Sequence, residues 1–483
     1  MSRSRRQLVR DYIALSGGEL VSKLAGFAAF AYLARTLSPD SYGAVELAVA
    51  LAMFFTLVVD FGFGPIGARE LIRAPERAPE LAAAIPAARI GITVLAILAM
   101  AACATLLDPP RPTRMLILIY AASLLAAPWN LNWLLQGLDL LPWVSLAQAA
   151  RMIVFALGVL LVVSSDEDLW RVGLVEGVAA ATMAGYYLWI QRRRIAPLRL
   201  GARLGLVRHL TREAVPVGLG RILWAWNQYV ATVLVAVRVG GAEIAWFGAA
   251  HRVVTSLGSF VYLYHFNLYP QVVRAASGGG PQLGALFGAS FRVTAWLGVG
   301  VGLGGTLLAE PVCRFIFGAP FAAAAPALAV LSWILPASLL GSHARFTLIA
   351  YGHQRSELAA NATGAVVVLA LGMVLVGRLG ALGAAIAMLV STIATWAVAQ
   401  LMVMRRVEAI PFLLPLARPA LAAGGAAAAF VWLDSMGPLG AAVAALVLYG
   451  VAAPLLQPKL VEDVRGLLGE DRVGSGPGPE PLG

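Results

Sequence analysis

The stretch QRRRIAPLRLGARLGLVRHLTRE, residues 191–213, is the longest polar segment in the middle of the chain. Six apolar segments precede it and eight follow it. An α-helix needs about 20 apolar residues to cross a bilayer, and each of these segments is long enough to predict one span. The polar stretch therefore divides six predicted spans from eight, and we predict that it is a cytoplasmic linker between two lobes.

The composition is typical of a membrane protein. Of the 483 residues, 60% are hydrophobic and 13% are charged, and the mean hydropathy is +0.81, far outside the range of soluble domains. Barrel strands would show alternating segments of about 10 residues, which the chain lacks. We predict an all-α integral membrane protein with about 14 transmembrane helices. The basic N-terminus leads into a full span, which predicts a retained first helix rather than a signal peptide.

Basic residues predict the orientation in the membrane. The predicted spans have their centres near residues 24, 53, 95, 125, 153, 180, 226, 257, 297, 337, 367, 392, 421 and 447. With the N-terminus inside, the inner segments hold 21 basic residues and the outer segments hold seven. Since Lys and Arg concentrate on the cytoplasmic side, we predict a protein of the inner (cytoplasmic) membrane with both termini in the cytoplasm. The net charge of +11 reflects this bias and predicts no nucleic-acid partner.

The chain repeats itself on the two sides of the linker. Residues 17–35 match residues 220–238, and an aromatic–Gly pair follows each copy. Internal symmetry of this kind is typical of transporters that bind cargo between two repeats. The predicted domains are an N-terminal lobe (1–191), the linker (192–212), a C-terminal lobe (213–406), two appended spans (407–457) and a cytoplasmic tail (458–483).

Charged side chains lie inside the predicted spans, where each costs about 2.5 to 3.5 kcal/mol on insertion scales. They include Lys23, Arg89, Arg151, Arg221, Arg252, Arg292 and Arg345. So many cations predict a shared water-filled interior and an anionic cargo. An alternative stays open for Arg221 and for Arg89, Arg151 and Arg292, the three that we treat as cavity candidates, because arginines near an inner helix end can reach the interface. For Arg418, in the appended spans, the interface is the favoured interpretation.

Five short strings occur in order along the chain: RTLSPDSYG (35–43), DFGFG (60–64), AAHRV (249–253), YGHQR (351–355) and GALGAAIA (380–387). Together they resemble the oligosaccharide flippases, the Wzx-type polysaccharide exporters of the multidrug/oligosaccharidyl-lipid/polysaccharide superfamily. The resemblance implies two six-helix lobes around a V-shaped cavity, lined chiefly by the first, second, seventh and eighth spans. His251 departs from the family's apolar position, so the details of head-group recognition are not carried over.

The resemblance also implies a function. The cargo would be an undecaprenyl-pyrophosphate-linked oligosaccharide, turned from the inner to the outer leaflet for surface polysaccharide such as O-antigen, exopolysaccharide or capsule. The implied partners are this lipid-linked sugar, the membrane lipids and polysaccharide polymerase machinery.

Polar side chains recur at helical spacing in three of these spans. In the first span, Glu19 and Lys23 stand four residues apart. They predict either an internal ion pair or a pair that exchanges partners when pyrophosphate arrives. The seventh span presents a cation, an aromatic plate and amides, which suit a phosphate and a sugar. We predict that substrate binds to Lys23, Arg221, Trp224, Asn227, Gln228, His251, Arg252 and His265, the histidines sharing a stripe with Thr255 and Tyr262.

Two acids are candidates for ion coupling. They are Glu19 and Asp60, since buried carboxylates are the usual sites that bind a proton or Na⁺ for transport. The alternative for Asp60 is a helix-end partner for Arg69 or Arg73. We expect Glu46, near the outer surface, to be solvated.

Neither a cofactor nor a metal is predicted. Cys103 and Cys313 support no disulfide framework, and the glycines of residues 298–305 lie within a span, where they allow close helix packing rather than nucleotide binding. The alternatives are a lipid II flippase or a multidrug exporter of the same superfamily. A membrane polysaccharide polymerase or ligase is less favoured, because no outer loop much exceeds a dozen residues. We therefore predict a transporter that works by alternating access and is not an enzyme.

Overall fold

The computed structural model describes residues 5–195, 204–277, 283–408 and 414–468. Residues 196–203 of the predicted linker and the tail beyond residue 468 lie outside the described residues. The same holds for the side chain of Tyr262, a member of the predicted histidine stripe. Described residues form α-helices joined by turns and short 3-10 helices.

The chain divides into two compact units. The first comprises Met1–Ala249, Cys313–Ala324 and Val368–Ala387. Its helices are α1 (Arg5–Thr36), α2 (Pro39–Asp60), α3 (Phe63–Arg73), α4 (Ala78–Leu106), α5 (Arg111–Ser123), α6 (Asn132–Gly137), α7 (Leu141–Val162), α8 (Leu169–Arg194), α9 (Leu204–Arg238) and the start of α10 (Ala242–Ala276). Within this unit α1 packs on α7, α7 on α8, and α2 on α9.

The second unit comprises Ala250–Val312, Ala325–Val367 and Met388–Gly483. Its described helices are the rest of α10, then α11 (Leu283–Leu307), α12 (Ala309–Phe317), α13 (Ala325–Leu331), α14 (Ile334–Ala350), α15 (Gln354–Arg406), α16 (Leu414–Trp432), α17 (Gly437–Leu456) and α18 (Leu460–Leu468). Helices α12 and α15 also contribute residues to the first unit. Within the second unit, α11 packs against α14, α16, α17 and α18.

The helices fit the predicted membrane spans. Each of the fourteen predicted centres lies within a helical segment. By length and composition, eight stretches of the described residues could cross a membrane. One of them, Gln354–Arg406, contains two predicted centres. Large apolar side chains stand fully exposed on these helices, Leu161 at 82% for example, as expected of surfaces that lipid covers. The all-α membrane fold is therefore confirmed.

The first loop of the chain contains the residues that start helix α2. Ser38 accepts a hydrogen bond from the backbone N–H of Ser41, and Pro39 occupies the first turn of α2. A serine cap followed by proline is a strong helix start, because both satisfy the unpaired first turn. Tyr42, further along the same string, is fully buried and packs edge-on against Phe321.

Helix α15 breaks where the sequence places a glycine. Gly380 has φ 54° and ψ −130°, which divides α15 into two helices. Residues with a side chain rarely adopt this backbone conformation. The carboxylate of Glu243 accepts a hydrogen bond of 2.6 Å from the backbone N–H of Ala381. An acidic group at a helix N-terminus satisfies a donor and complements the helix dipole. The helix start within residues 380–387 is thus built from a glycine and a carboxylate cap.

The glycines of α11 permit close packing, as predicted. A β-carbon at Gly298 would lie 2.9 Å from Pro336, and one at Gly302 would lie 3.0 Å from Trp333. Neighbouring helices therefore approach α11 at distances that only glycine allows.

Candidate functional site

The DFGFG string ends α2 and brings α9 close. Asp60 is the last residue of α2, and the next two, Phe61 and Gly62, both adopt left-handed conformations, with φ of 41° and 80°. A β-carbon on Gly62 would lie 2.8 Å from the backbone nitrogen of Gly218 in α9. Glycine is therefore required at position 62, both for the turn and for the contact with α9.

The carboxylate of Asp60 lies between two guanidinium groups. Arg89, from α4, donates from Nη2 to Oδ1 of Asp60. Arg221, from α9, lies with Nη1 3.2 Å from Oδ2. Arg89 is fixed a second time, since its Nη1 donates to the carbonyl oxygen of Asn130 at 2.9 Å. We call Asp60, Arg89 and Arg221 the arginine–aspartate cluster.

The two arginines of this cluster differ in exposure. The side chain of Arg89 is 3% exposed and that of Asp60 is 20% exposed, whereas that of Arg221 is 38% exposed. A buried charge is costly unless it is paired, so Asp60 is the counter-ion that allows Arg89 to lie inside the unit. The cluster carries one excess positive charge, and Arg221 is the cation that solvent can reach. Electrostatically, it is a site where a second anion could replace or share the Asp60 carboxylate.

Helix α9 presents the predicted polar stripe. Trp224, one turn after Arg221, is 42% exposed, whereas its neighbour Ala225 is completely buried. Gln228 and Asn227, in the following turn, are half-buried. A cation, an indole ring and an amide therefore follow one another along one face of α9, a combination that can contact both a phosphate and a sugar.

The predicted pair on α1 is present. Lys23 Nζ lies 3.0 Å from the Glu19 carboxylate, and both side chains are exposed by more than a third. An exposed pair of this kind stabilises a helix by only a few tenths of a kcal/mol. The ion pair agrees with the structural interpretation and leaves the exchange with pyrophosphate a prediction.

The helix-end partner considered for Asp60 is wrong. Arg69 lies 3.0 Å from both Glu70 and Glu213, and Arg73 lies near Glu70. That alternative considered the arginines nearest to Asp60 in the chain, whereas the turn at Gly62 directs the carboxylate to arginines of two other helices. The ion-coupling role of Asp60 stays a prediction.

Other intramembrane arginines have partners that the sequence did not reveal. Arg151 of α7 is paired with Glu176 of α8. Arg292 of α11 makes a two-pronged bond to Asp463 of α18, at 2.6 and 2.7 Å. Further pairs join Arg345 to Glu357 and Arg418 to Gln457. Each of these arginines has a partner of its own, whereas Arg221 shares the Asp60 carboxylate with Arg89. They therefore argue less strongly for an anionic cargo than Arg221 does.

The candidates on α10 differ in exposure. His251 and Arg252 are half-buried, and the hydroxyl of Thr255 donates to the carbonyl oxygen of His251 in its own helix. His265 is only 1% exposed and lies against His343 of α14, so cargo cannot touch it in this conformation. Another expectation was wrong: Glu46 is 7% exposed rather than solvated, since α10 packs over it at Gly248.

Long apolar helices with a charged cluster held inside one unit are typical of a multi-pass membrane protein. The sequence profile of the polysaccharide biosynthesis protein family matches residues 8–275, more than half of the chain. The chain belongs to this family, and the resemblance to polysaccharide exporters is confirmed.

Solved structures show the same fold. A structure titled "Lipid II flippase MurJ, inward closed conformation" matches with a TM-score of 0.74 and 15% identity, covering 93% of this chain and 100% of that one. An inward-facing multidrug resistance MATE family transporter of the MOP superfamily matches with a TM-score of 0.66 and 16% identity, covering 82% of this chain and 98% of that one. No curated protein sequence matches significantly. At these identities the likeness shows that the chain shares the fold of these structures.

Proposed function

We propose that this protein is a flippase for undecaprenyl-pyrophosphate-linked oligosaccharide. It moves the sugar head group from the inner to the outer leaflet of the cytoplasmic membrane, for the synthesis of surface polysaccharide. Membership of the polysaccharide biosynthesis protein family supports this proposal. The single observation that carries it is the accessible Arg221 guanidinium, paired with an Asp60 carboxylate that Arg89 holds from the other side.

The chemistry of the proposed binding step is an exchange of anions. A pyrophosphate oxygen replaces or joins the Asp60 carboxylate at Arg221, because charge-assisted hydrogen bonds from guanidinium to phosphate are strong and can be two-pronged. Asp60 keeps its bond to Arg89 during the exchange, so no buried cation loses its partner. Trp224 and Gln228 then lie on the same face of α9 for the adjoining sugar. Lys23 would exchange Glu19 for phosphate in the same way.

Translocation follows by alternating access of two lobes, 1–191 and 213–406, with both termini in the cytoplasm and the polyprenyl tail remaining in lipid. In this proposal the protein transports and performs no covalent chemistry, and it presents its cargo in the outer leaflet to polysaccharide polymerase machinery. His251 and Arg252 are further proposed contacts for the head group.

A second candidate is supported by the likeness to the lipid II flippase structure, which this chain covers completely. Lipid II also carries a pyrophosphate, so Arg221 would serve either cargo. The two candidates differ in the sugar and not in the charged site. A multidrug exporter is less well supported, because cationic drugs would be repelled by a cluster with a net positive charge.

The test uses proteoliposomes that contain the full chain and a fluorescent undecaprenyl-pyrophosphate-linked oligosaccharide. We expect Arg221→Gln to lower the initial flipping rate by at least about tenfold, as one lost charged contact can. Arg221→Lys keeps the positive charge but loses the two-pronged geometry of the guanidinium group. Its flipping rate should therefore be intermediate. Arg208→Gln, an exposed arginine earlier on α9, is the matched control.

Wild-type rates in folded Arg221→Gln protein would sink the proposed binding site. The same assay with lipid II separates the two cargos, since the preferred substrate is the one with the faster initial rate. Transfer of sugar from the probe to another molecule by the purified protein would instead favour an enzyme.

A further inference from the structure

A buried polar chain crosses three helices of the second unit. It contains Tyr264 and His265 of α10, Ser290 of α11 and His343 of α14, and we call it the imidazole chain. The hydroxyl oxygens of Tyr264 and Ser290 are 2.6 Å apart, and Ser290 Oγ is 2.7 Å from His343 Nε2. His343 Nδ1 is 3.3 Å from His265 Nε2. His265 Nδ1 ends the chain, 2.9 Å from the carbonyl oxygen of Val261.

The partners assign every hydrogen in the chain. A carbonyl can only accept, so His265 Nδ1 carries a hydrogen and, in the neutral ring, Nε2 accepts. His343 Nδ1–H then donates to His265 Nε2 and to the carbonyl oxygen of Leu339, 3.0 Å away. His343 Nε2 accepts from the Ser290 hydroxyl, which in turn accepts from Tyr264. All donors therefore point in one direction, from Tyr264 towards Val261.

Aromatic rings enclose the two imidazoles. His265 and His343 are each 1% exposed, and Ser290 is completely buried. Phe291 stacks on His343 with ring centroids 4.4 Å apart, and Phe346 lies parallel to His265 at 5.8 Å. Each nitrogen of the pair has a partner, so the chain meets the requirement that buried polar groups be hydrogen-bonded.

Few charged groups act on this pair. Arg345 of α14 interacts electrostatically with His265 and is itself bonded to Glu357 of α15 at 2.9 Å. Among the described side chains of α10, the titratable neighbour is Tyr264. From α11 the side chains against His343 are Ser290, Phe287 and Phe291, none of which is charged. A proton added to the pair would be opposed first by the burial of both rings and then, at His265, by Arg345, whose charge Glu357 already balances.

We propose that the imidazole chain is the proton-binding site that couples proton movement to flipping, with Tyr264 and Ser290 as its entry path. The proposal rests on the proposed flippase function and names its coupling ion. A one-way chain of donors that ends on an imidazole is suited to relay a proton, because each member can accept on one side while donating on the other.

Each step of the relay forms one bond to hydrogen and breaks another. A hydronium ion gives its proton to the Tyr264 oxygen and leaves as water, and the original phenolic proton passes to Ser290 Oγ. The Ser290 proton passes to His343 Nε2, and the His343 Nδ1 proton passes to His265 Nε2. One proton has entered, every hydroxyl keeps one hydrogen, and His265 has become an imidazolium. No atom changes its oxidation state.

Protonation has a local consequence that can drive a change of conformation. The positive charge of the imidazolium at His265 repels the Arg345 guanidinium. The ion pair with Glu357 then becomes more important for holding Arg345 in place. After the proton transfers, the hydrogen bonds of the chain run in the opposite direction. The Ser290 hydroxyl and His343 Nε2–H then donate towards Tyr264. The protonated and neutral forms therefore favour different arrangements of α10, α14 and α15, which is what coupling requires.

The first experiment measures protonation without any cargo. Full-length protein with ¹⁵N-labelled histidines, in nanodiscs, is titrated from about pH 9 to about pH 5 and compared with His265→Gln and His343→Gln variants to assign the signals. We expect two neutral Nδ1–H rings at high pH and one shared proton at low pH. Two rings that stay neutral over the whole range would overturn the proposal.

The second experiment measures coupling. Proteoliposomes with the lipid-linked probe and an internal pH dye are given a pH gradient. We expect the gradient to accelerate wild-type flipping and flipping to carry protons. In His343→Gln and Ser290→Ala the gradient-dependent part should fall at least about tenfold, the scale of a lost proton-transfer group. His209→Gln, on the exposed face of α9, should respond like wild type.

Ser290→Ala keeps the experiment decisive if His343→Gln does not fold. An unchanged response to the gradient in either folded variant would show that the chain is only structural and overturn the proposal. If the wild type takes up the proton but does not flip the pyrophosphate lipid, the proposed function fails while the proton site stands.

Discussion

At the scale of single residues, the site depends on a carboxylate shared by two arginines. The sequence predicted Asp60, Arg89 and Arg221 as separate candidates, since each is a charge within an apolar span. It could not predict their meeting, because they belong to three helices and the turn at Gly62 decides which arginines Asp60 reaches. His343 was missed for a similar reason: its partners come from α10 and α11, and helical spacing reveals only neighbours on one helix.

Removal of the shared carboxylate should destabilise the protein more than removal of either arginine. In Asp60→Asn, the buried Arg89 loses its counter-ion, and breaking a buried pair costs about 3 to 5 kcal/mol. Arg89→Gln should cost less, because Asp60 keeps Arg221. We expect the double variant Asp60→Asn/Arg89→Gln to recover part of the loss. Denaturation in mixed micelles measures the free energies of unfolding, and additive effects of the two changes would contradict the pairing.

A second residue-scale prediction concerns pH and the loop between α7 and α8. Hydrogen bonds from the backbone N–H and the hydroxyl of Ser164, each 2.9 Å, and the nearby Arg171 hold the pKa of Asp168 below its ordinary value. A lowered pKa in the folded state means that the ionised carboxylate stabilises the loop. This stabilisation is complete above the ordinary aspartate pKa and is lost as the pH falls towards the lower folded value.

Hydrogen exchange of residues 163–169 as a function of pH measures this loss. We expect wild-type protection to fall as Asp168 becomes protonated. Asp168→Asn, which keeps the size of the side chain and lacks its charge, should show weak protection that does not change over the same range. A wild-type loop whose protection is equally independent of pH would contradict the prediction.

At the scale of elements, apolar length predicted the long helices well. The short helices α3, α6, α12, α13 and α18 were not predicted, because each is far below the length of a span and hydropathy averages over longer windows. The partner of Arg292 was missed with them, since Asp463 belongs to α18. The break in α15 agrees with the two span centres predicted near residues 367 and 392, whereas its cap, Glu243, lies on another helix and was not predicted.

Gly380→Ala should therefore destabilise the first unit. Its backbone lies at φ 54° and ψ −130°, and a residue with a side chain in such a region costs about 1 to 3 kcal/mol. The added β-carbon would also overlap the Glu243 carboxylate. Gly424→Ala is the matched control, because nothing lies within 4 Å of its β-carbon and alanine favours a helix by about 1 kcal/mol over glycine. In thermal unfolding in nanodiscs, we expect Gly424→Ala to be the most stable, wild type to be next and Gly380→Ala to be the least stable. Equal unfolding temperatures would contradict backbone strain at position 380.

At the scale of the whole molecule, the distribution of charge and the chemistry of the cargo predict a response to voltage. The proposed head group carries two negative charges outward, and an inside-negative potential contributes about 2.3 kcal/mol per charge per 100 mV. Because Arg221 lies in a cluster with net positive charge, the protein can neutralise part of the head group on the way, so the response should be smaller than for two bare charges.

Proteoliposomes with a potassium gradient and valinomycin provide the measurement. We expect an inside-negative potential to raise the initial rate of outward flipping, with the pH equal and strongly buffered on both sides so that the imidazole chain experiences no gradient. Reversal of the potential should slow outward flipping. The flipping rate of a polyprenyl lipid with an uncharged head group should not change under either potential. If the pyrophosphate lipid is equally indifferent, no net charge crosses the field with the cargo. Compensating positive charge would then have to move with it, and its source would be sought in the proton site of the second unit.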